Sequence, residues 1–279
     1  MTKKLVETEI IIKSQPGYRR VACRDLWMFR ELFLTLVKRD ILVHYKQTFI
    51  GVTWVVLQPL VTMIIFTLVV GRFVGNLSEH FPYPLLVFCG LVPWQTFSKT
   101  LSSASSSIVS NQSLVTKVYF PRVLIPATVV TSAIIDIAVN TTVLILLSFW
   151  FYKVFTIKLL LLPVLIVFTL ISSFFCSLWF AGLSVFYRDF QFLLAYFIQT
   201  GQFISPLFYP LSIIPEKWRV VYALNPLVTI IETFRWVVIK NYPFPSFQVC
   251  LTSFSVVVFL GWTGWIYFHT VERRIADRI

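Results

Sequence analysis

Charge is scarce in this sequence. Only 13% of its 279 residues are Asp, Glu, Lys or Arg, whereas 57% are hydrophobic. A soluble domain carries about 25% charged and about 45–50% apolar residues. There is too little polar surface to coat a globule of this length in water, so lipid must cover much of the chain. The phosphate-binding signature G-x-x-x-x-G-K-[ST] is also missing, which excludes P-loop nucleotide binding by this chain. No Ser/His/Asp set, carboxylate pair or metal-ligand cluster stands out. His44, His80 and His269 are far apart, and Cys23, Cys89, Cys176 and Cys250 are scattered without a C-x-x-C pair. The cysteines read as packing residues, and the expectation is of no catalytic residue, no metal and no enzyme. Energy must come from another subunit or from an ion gradient. Some fifty mostly polar residues precede the first apolar run, so no cleavable signal peptide is expected.

What is abundant is aromatic and basic. The chain holds 28 Phe, 11 Tyr and 9 Trp, and its formal net charge is +12. In a soluble protein such charge would point to nucleic acid. Here ten Lys/Arg lie in residues 1–51 and most others flank apolar runs, so the charge reports topology and no nucleic-acid partner is expected. Six stretches are long and apolar enough to read as spans: Val52–Val70, Leu85–Ser107, Val123–Tyr152, Leu159–Phe186, Phe190–Phe208 and Val249–Phe268. The second is diluted by Ser102, Ser103, Ser105, Ser106 and Ser107, which suit either close helix packing or water. With a cytoplasmic N-terminus, the inner segments hold seventeen Lys/Arg and the outer ones seven, which places both termini in the cytoplasm.

Two segments are neither spans nor loops. In Leu26–Tyr45, Phe29, Leu32, Phe33, Leu36, Val37 and Ile41 share one helical face, which predicts an amphipathic helix at the inner membrane surface. In Leu211–Ile239, the run from Leu227 is broken by Glu232 and Arg235, and Pro210, Pro215 and Pro226 punctuate it. A helical hairpin re-entering the outer leaflet fits it better than a span. The fold class expected is therefore an all-α polytopic membrane protein of six transmembrane helices with an interface helix and an outer re-entrant hairpin. Residues 1–51 form the cytoplasmic N-terminal segment and 52–279 the transmembrane domain.

Several residues carry their own physical reading. Asn111 can cap a short helix that Pro121 stops. Asp189 can cap the fifth span, and Arg188 can meet lipid phosphate. Asn225 can cap a helix with Pro226 in its first turn. Asp136 lies in the third span, where a carboxylate is costly; it is read as a polar contact, protonated or bonded to Asn140, in preference to a proton-coupling group. The sequons at Asn76, Asn111 and Asn140 read as chance.

The order of short motifs resembles the ABC-2-type permeases. Phe29-Arg30-Glu31-Leu32, Lys38-Arg39-Asp40, Tyr45-Lys46, Gly51, Trp54 and Gln58-Pro59 are similar to that family's entry segment. Gly90-Leu91-Val92-Pro93-Trp94, Phe97-Ser98, Asn111, Leu114 and Lys117-Val118-Tyr119-Phe120-Pro121-Arg122 resemble the branch that exports O-antigen and teichoic-acid polysaccharides. Arg188-Asp189, Gln199, Ser205-Pro206, Tyr209-Pro210, Pro215, Asn225-Pro226 and Arg235 fit its C-terminal half. The resemblance covers about residues 25–270, and capsule exporters share most of it. It implies a homodimer paired with two ATP-binding ABC subunits in a bacterial inner membrane, exporting a lipid-linked polysaccharide. This chain would bind no cofactor; ATP and Mg would sit on the partner. It further implies that Asn111, Leu114, Lys117, Tyr119, Phe120 and Arg122 couple to the ATPase.

A sliding sugar polymer needs apolar ring faces and scattered hydrogen bonders. Phe192, Tyr196, Gln199 and Phe203 at helical spacing supply both, and Trp54 and Phe66 are added by analogy as channel-lining candidates. Arg188, Asp189, Tyr209, Pro210, Asn225 and Pro226 are gate candidates. The rivals are an exporter of small molecules or drugs, an ion-coupled secondary transporter or channel, and a membrane-embedded acyl- or glycosyltransferase. The ion-coupled reading needs more intramembrane charge than Asp136, and the transferase lacks a catalytic set.

Overall fold

A computed structural model describes residues 27–46, 52–71, 81–154, 156–187 and 189–278. Among them the chain is helical and forms no strand. The first helix, α1 (Arg30–Lys46), is the expected amphipathic one: Leu36 and Val37 are buried, and Phe29, Leu32 and Phe33 pack onto the protein body. Its apolar face thus turns toward protein, while Leu34, Leu42 and Val43 remain outside. Asp25, a residue type able to cap the start of such a helix, lies outside the described residues.

Helices occupy each of the six apolar stretches. They are α2 (Val52–Val69), α3 (Tyr83–Ser110), α5 (Leu124–Ser132) with α6 (Ile134–Tyr152), α7 (Leu162–Phe186), α8 (Asp189–Ile204) and α11 (Phe247–Arg278), with the short α4 (Gln112–Lys117) after α3. Among the described residues, three helical segments are long and apolar enough to cross a membrane: Leu124–Tyr152, Ile157–Phe186 and Phe247–Glu272. The diluted second stretch turns out to be the centre of the fold. Helix α3 packs against α2, α5, α6, α7 and α8, and its residues from Leu85 to Pro93 are buried. Its serines divide into buried and exposed ones. Ser105 and Ser107 are buried and donate to the carbonyls of Leu101 and Ala104, whereas Ser102 and Ser103 are exposed.

The third stretch remains one span-length segment, Leu124–Tyr152, with a local irregularity at Ala133, where the backbone stays right-handed helical and the amide bonds the Val129 carbonyl at 3.3 Å. One boundary differs from the apolar pattern: the fifth helix ends at Ile204, not Phe208. At 1.5 Å per residue its 16 residues reach about 24 Å, short of the ~30 Å hydrocarbon core. Pro206 has no amide proton to continue the ladder, and Ser205–Phe208 is buried irregular backbone. Hydropathy alone could not separate apolar helix from apolar loop there.

The segment after α8 forms two helices, α9 (Glu216–Tyr222) and α10 (Pro226–Val238), with Asn225 accepting from the Leu227 amide as the expected cap. Helix α10 is almost wholly buried and packs on α3, α6, α7 and α11.

Candidate functional site

Three groupings of polar or aromatic side chains are candidates for function. The first surrounds the loop between α3 and α5. Lys117 and Tyr119 are exposed there, Leu114 is half-buried, and Phe120 is only 4% exposed within a cluster with Val115, Ile125, Leu178 and Phe268. Phe120 therefore anchors the loop from beneath and does not face outward. Arg122 is clamped to α11: its backbone amide donates to Glu272 Oε1 at 2.7 Å and its guanidinium to the Glu272 carbonyl. Glu272 also meets His269 Nδ1 at 2.8 Å. Asn111 does not cap α4, correcting the expectation. Its Nδ2 donates to the Ser107 carbonyl, and its Oδ1 accepts from Arg39 of α1 at 2.9 Å. A long-range partner has taken the oxygen that a cap requires.

The second grouping centres on Asp136, in the first turn of α6. It is 8% exposed and does not bond Asn140, whose side-chain oxygen lacks a partner. Lys99 Nζ from α3 reaches Asp136 Oδ2 at 2.5 Å, the Tyr45 hydroxyl of α1 donates to Oδ1, and His44 Nε2 lies 2.9 Å from Lys99 Nζ. Burial, then the hydrogen bond and charge of Asp136, push the Tyr45 hydroxyl above the ordinary tyrosine range and keep it a donor. The carboxylate thus has basic neighbours that its sequence surroundings did not reveal. Lys99 is 37 residues from it and Tyr45 is 91.

The third grouping lies on α10 and the chain packed around it. Arg235 is fully buried and bonded at each of its three nitrogens: it donates to Glu232 Oε1 at 2.7 Å and to the carbonyls of Leu207 at 2.9 Å, Tyr209 at 3.0 Å and Leu86 at 3.3 Å. Tyr242 donates to the other oxygen of Glu232 at 2.9 Å. The two residues that break the apolar run are thus an internal staple, placed on one face by their i,i+3 spacing. Among the gate candidates, Tyr209 and Pro210 sit on this stapled strip, Asn225 links it through Ser205 Oγ at 2.8 Å, and Pro226 opens α10. Asp189 starts α8 in an exposed position, away from that strip. Arg188 lies outside the described residues.

Helix α8 carries the aromatic stripe and buries only Leu194. Phe192, Tyr196 and Phe203 are exposed by 77%, 65% and 64%, and Gln199 is exposed beside them. The helix touches the body through α3 and α7, where Gly201 accepts the Trp94 ring so closely that a β-carbon would lie 2.9 Å from it. Trp54 on α2 is likewise exposed. Phe66 is not: its ring stacks on Phe208 at 3.6 Å between centroids. Among the described residues, no group of three or more His, Cys, Asp or Glu could hold a metal.

This helical, apolar chain belongs to the ABC-2 type transporter family, whose model matches residues 31–239. It is 26% identical to an O-antigen export system permease of Myxococcus xanthus over 92% of this chain and 98% of that one. A permease of the same description from Klebsiella pneumoniae is 26% identical over 88% and 94% of the two chains. The polysialic acid transport protein KpsM of Escherichia coli is 24% identical over 74% and 81%.

Proposed function

We propose that this chain is the permease subunit of an ATP-driven exporter that moves a lipid-linked, O-antigen-like polysaccharide outward across a bacterial inner membrane. The observation that carries the reading is the near end-to-end similarity to O-antigen export permeases. Two copies of the chain would work with two ATP-binding subunits, which bring ATP and Mg. The match to KpsM keeps a capsule-type polymer as the second reading.

The topology in this proposal has six spans, both termini in the cytoplasm and the α9–α10 hairpin dipping into the outer leaflet. The N-terminal segment 1–51 lies at the inner surface and 52–279 is the transmembrane domain. The excess of Lys/Arg on the assigned inner segments supports the orientation. Exposed Lys117 and Tyr119, on a loop fixed by Phe120, Arg122 and Asn111, supply a rigid surface for an ATPase to grip. Leu114 backs that surface.

Helices α2 and α8 keep Trp54, Phe192, Tyr196, Gln199 and Phe203 uncovered. A second copy facing them would enclose a path lined by aromatic faces, on which sugar rings stack without a fixed register. Phe66, spent on Phe208, takes part only through the rim. Arg188 and Asp189 would close the inner end. The stapled strip of Tyr209, Pro210, Asn225 and Pro226 would form an outer rim that moves as one piece with α3.

Depleting the chain in its host, with tagged chain as control, tests the reading. Lipid-linked glycan should accumulate inside the cell, and an ATP-binding subunit should co-purify with the tagged chain. Normal surface glycan after depletion would reject the proposal.

A further inference from the structure

The two halves of α1 are held in different ways. Its N-terminal half is packed: Phe29, Leu32 and Phe33 join the apolar cluster beneath the α3–α5 loop. Beyond Arg39 the helix borders a cavity of about 390 Å³ whose walls include Val43, Thr100, Ser103 and Ala133. Thr100 is 1% exposed, yet its hydroxyl has no hydrogen-bond partner, so close packing does not complete this region. The cavity is bridged by the Tyr45–Asp136 hydrogen bond, and Asp136 is held in turn by Lys99. The bridge lands one turn from the irregularity at Ala133. At the other side of the same helix half, Arg39 is bonded to Asn111 at the start of the docking loop.

One helix end is therefore tied to the loop that would receive the ATPase and to the irregularity in the third stretch. Five residues, 47–51, separate that end from α2, which carries Trp54. A displacement of the docking loop would pull on Arg39. Space beside the helix and a half-exposed Lys99 as the partner of the buried Asp136 let the far contact yield.

We infer that Asp136, with Lys99 and Tyr45, is a positioning residue for transport: a releasable latch that holds the C-terminal half of α1 against the α5–α6 junction. The inference rests on the proposed exporter reading. When the docking loop moves, the latch opens and α2 is re-aimed; when it returns, the latch closes.

The test uses the complete transporter reconstituted with its ATP-binding subunit. Val43→Cys and Ala133→Cys, in a background without the four native cysteines, place thiols on the cavity walls and leave the latch residues intact. A reducible bifunctional crosslinker should cut export per ATP hydrolysed about tenfold, within the range of an ordinary coupling between sites. Reduction should restore it. Asp136→Asn should lower the same ratio at a normal protein level, and the exchange Lys99→Asp with Asp136→Lys should recover part of it. Export by the crosslinked transporter at the uncrosslinked rate would overturn the latch. So would an Asp136→Asn variant whose export falls only as far as its amount in the membrane. If the uncrosslinked parent shows no ATP-dependent export, it is the exporter reading that fails.

Discussion

The ion pair of α10 and the one near α1 have the same parts in different surroundings. Each joins a basic side chain to a carboxylate that also accepts from a tyrosine hydroxyl: Arg235, Glu232 and Tyr242 on one side, Lys99, Asp136 and Tyr45 on the other. On α10 both charged side chains are at most 5% exposed, and the guanidinium also ties three backbone carbonyls from two segments. Near α1 the Lys99 side chain is 46% exposed and a cavity lies alongside. Burial decides what each set can do. A desolvated pair held at every nitrogen of the guanidinium cannot open without stranding charge in a dry site, so it acts as a fixed staple. Asp136 is buried too, but with a half-exposed lysine, a tyrosine donor and a cavity alongside, its pair loses less when it parts.

The contrast predicts unequal responses to losing one partner. Arg235→Leu leaves Glu232 buried without its cation and removes the donor to three carbonyls. It should cost about 3–5 kcal/mol, and folded protein in the membrane should fall steeply. Replacing Glu232 by Leu in the same chain should return part of the loss. An Arg235→Leu variant that accumulates like the parent would erase the distinction. Asp136→Asn should cost only about 1 kcal/mol or less, because Lys99 can turn to water. Its protein level should stay near the parent's while export declines. Quantifying surface glycan against embedded protein separates these outcomes.

A smaller effect is expected where no ion pair is involved. Tyr196→Leu with Phe203→Leu keeps the apolar bulk of α8 but removes the ring faces. Folding and ATPase assembly should be unchanged, since neither ring is buried. Export should drop by a few-fold if the rings meet the polymer, a loss of up to about 1 kcal/mol in effective contact. Full export by the double variant would assign the stripe to lipid or packing.

How far the sequence foretold these features depended on how local each one is. The α1 face was legible because the 3.6-residue period is written in consecutive residues. The Asn225 cap was legible because its partner is two residues on. The Asn111 cap was misread for the opposite reason: Arg39, 72 residues away, takes the oxygen. Asp136 was singled out correctly as a costly carboxylate, but its partners lie on two other helices and no spacing rule points to them. Glu232 and Arg235 first read as interruptions of an apolar run. Their i,i+3 spacing was the available signal, whereas the carbonyls of Leu86, Leu207 and Tyr209 could be known only after packing. The end of α8 shows the limit of hydropathy, because Ser205–Phe208 is as buried as any helix in the core.

The central claim is a movable inner region driven against a fixed outer one. Spin labels at positions 43 and 133 report the latch, and labels at 218 and 244 report the α9–α10 segment and its approach to α11. Distances are measured in the complete transporter, first without nucleotide and then trapped with ATP and vanadate. The account predicts that the inner distance lengthens or broadens on trapping while the outer one keeps its value. An inner distance that does not respond to nucleotide, beside an outer one that does, would contradict it.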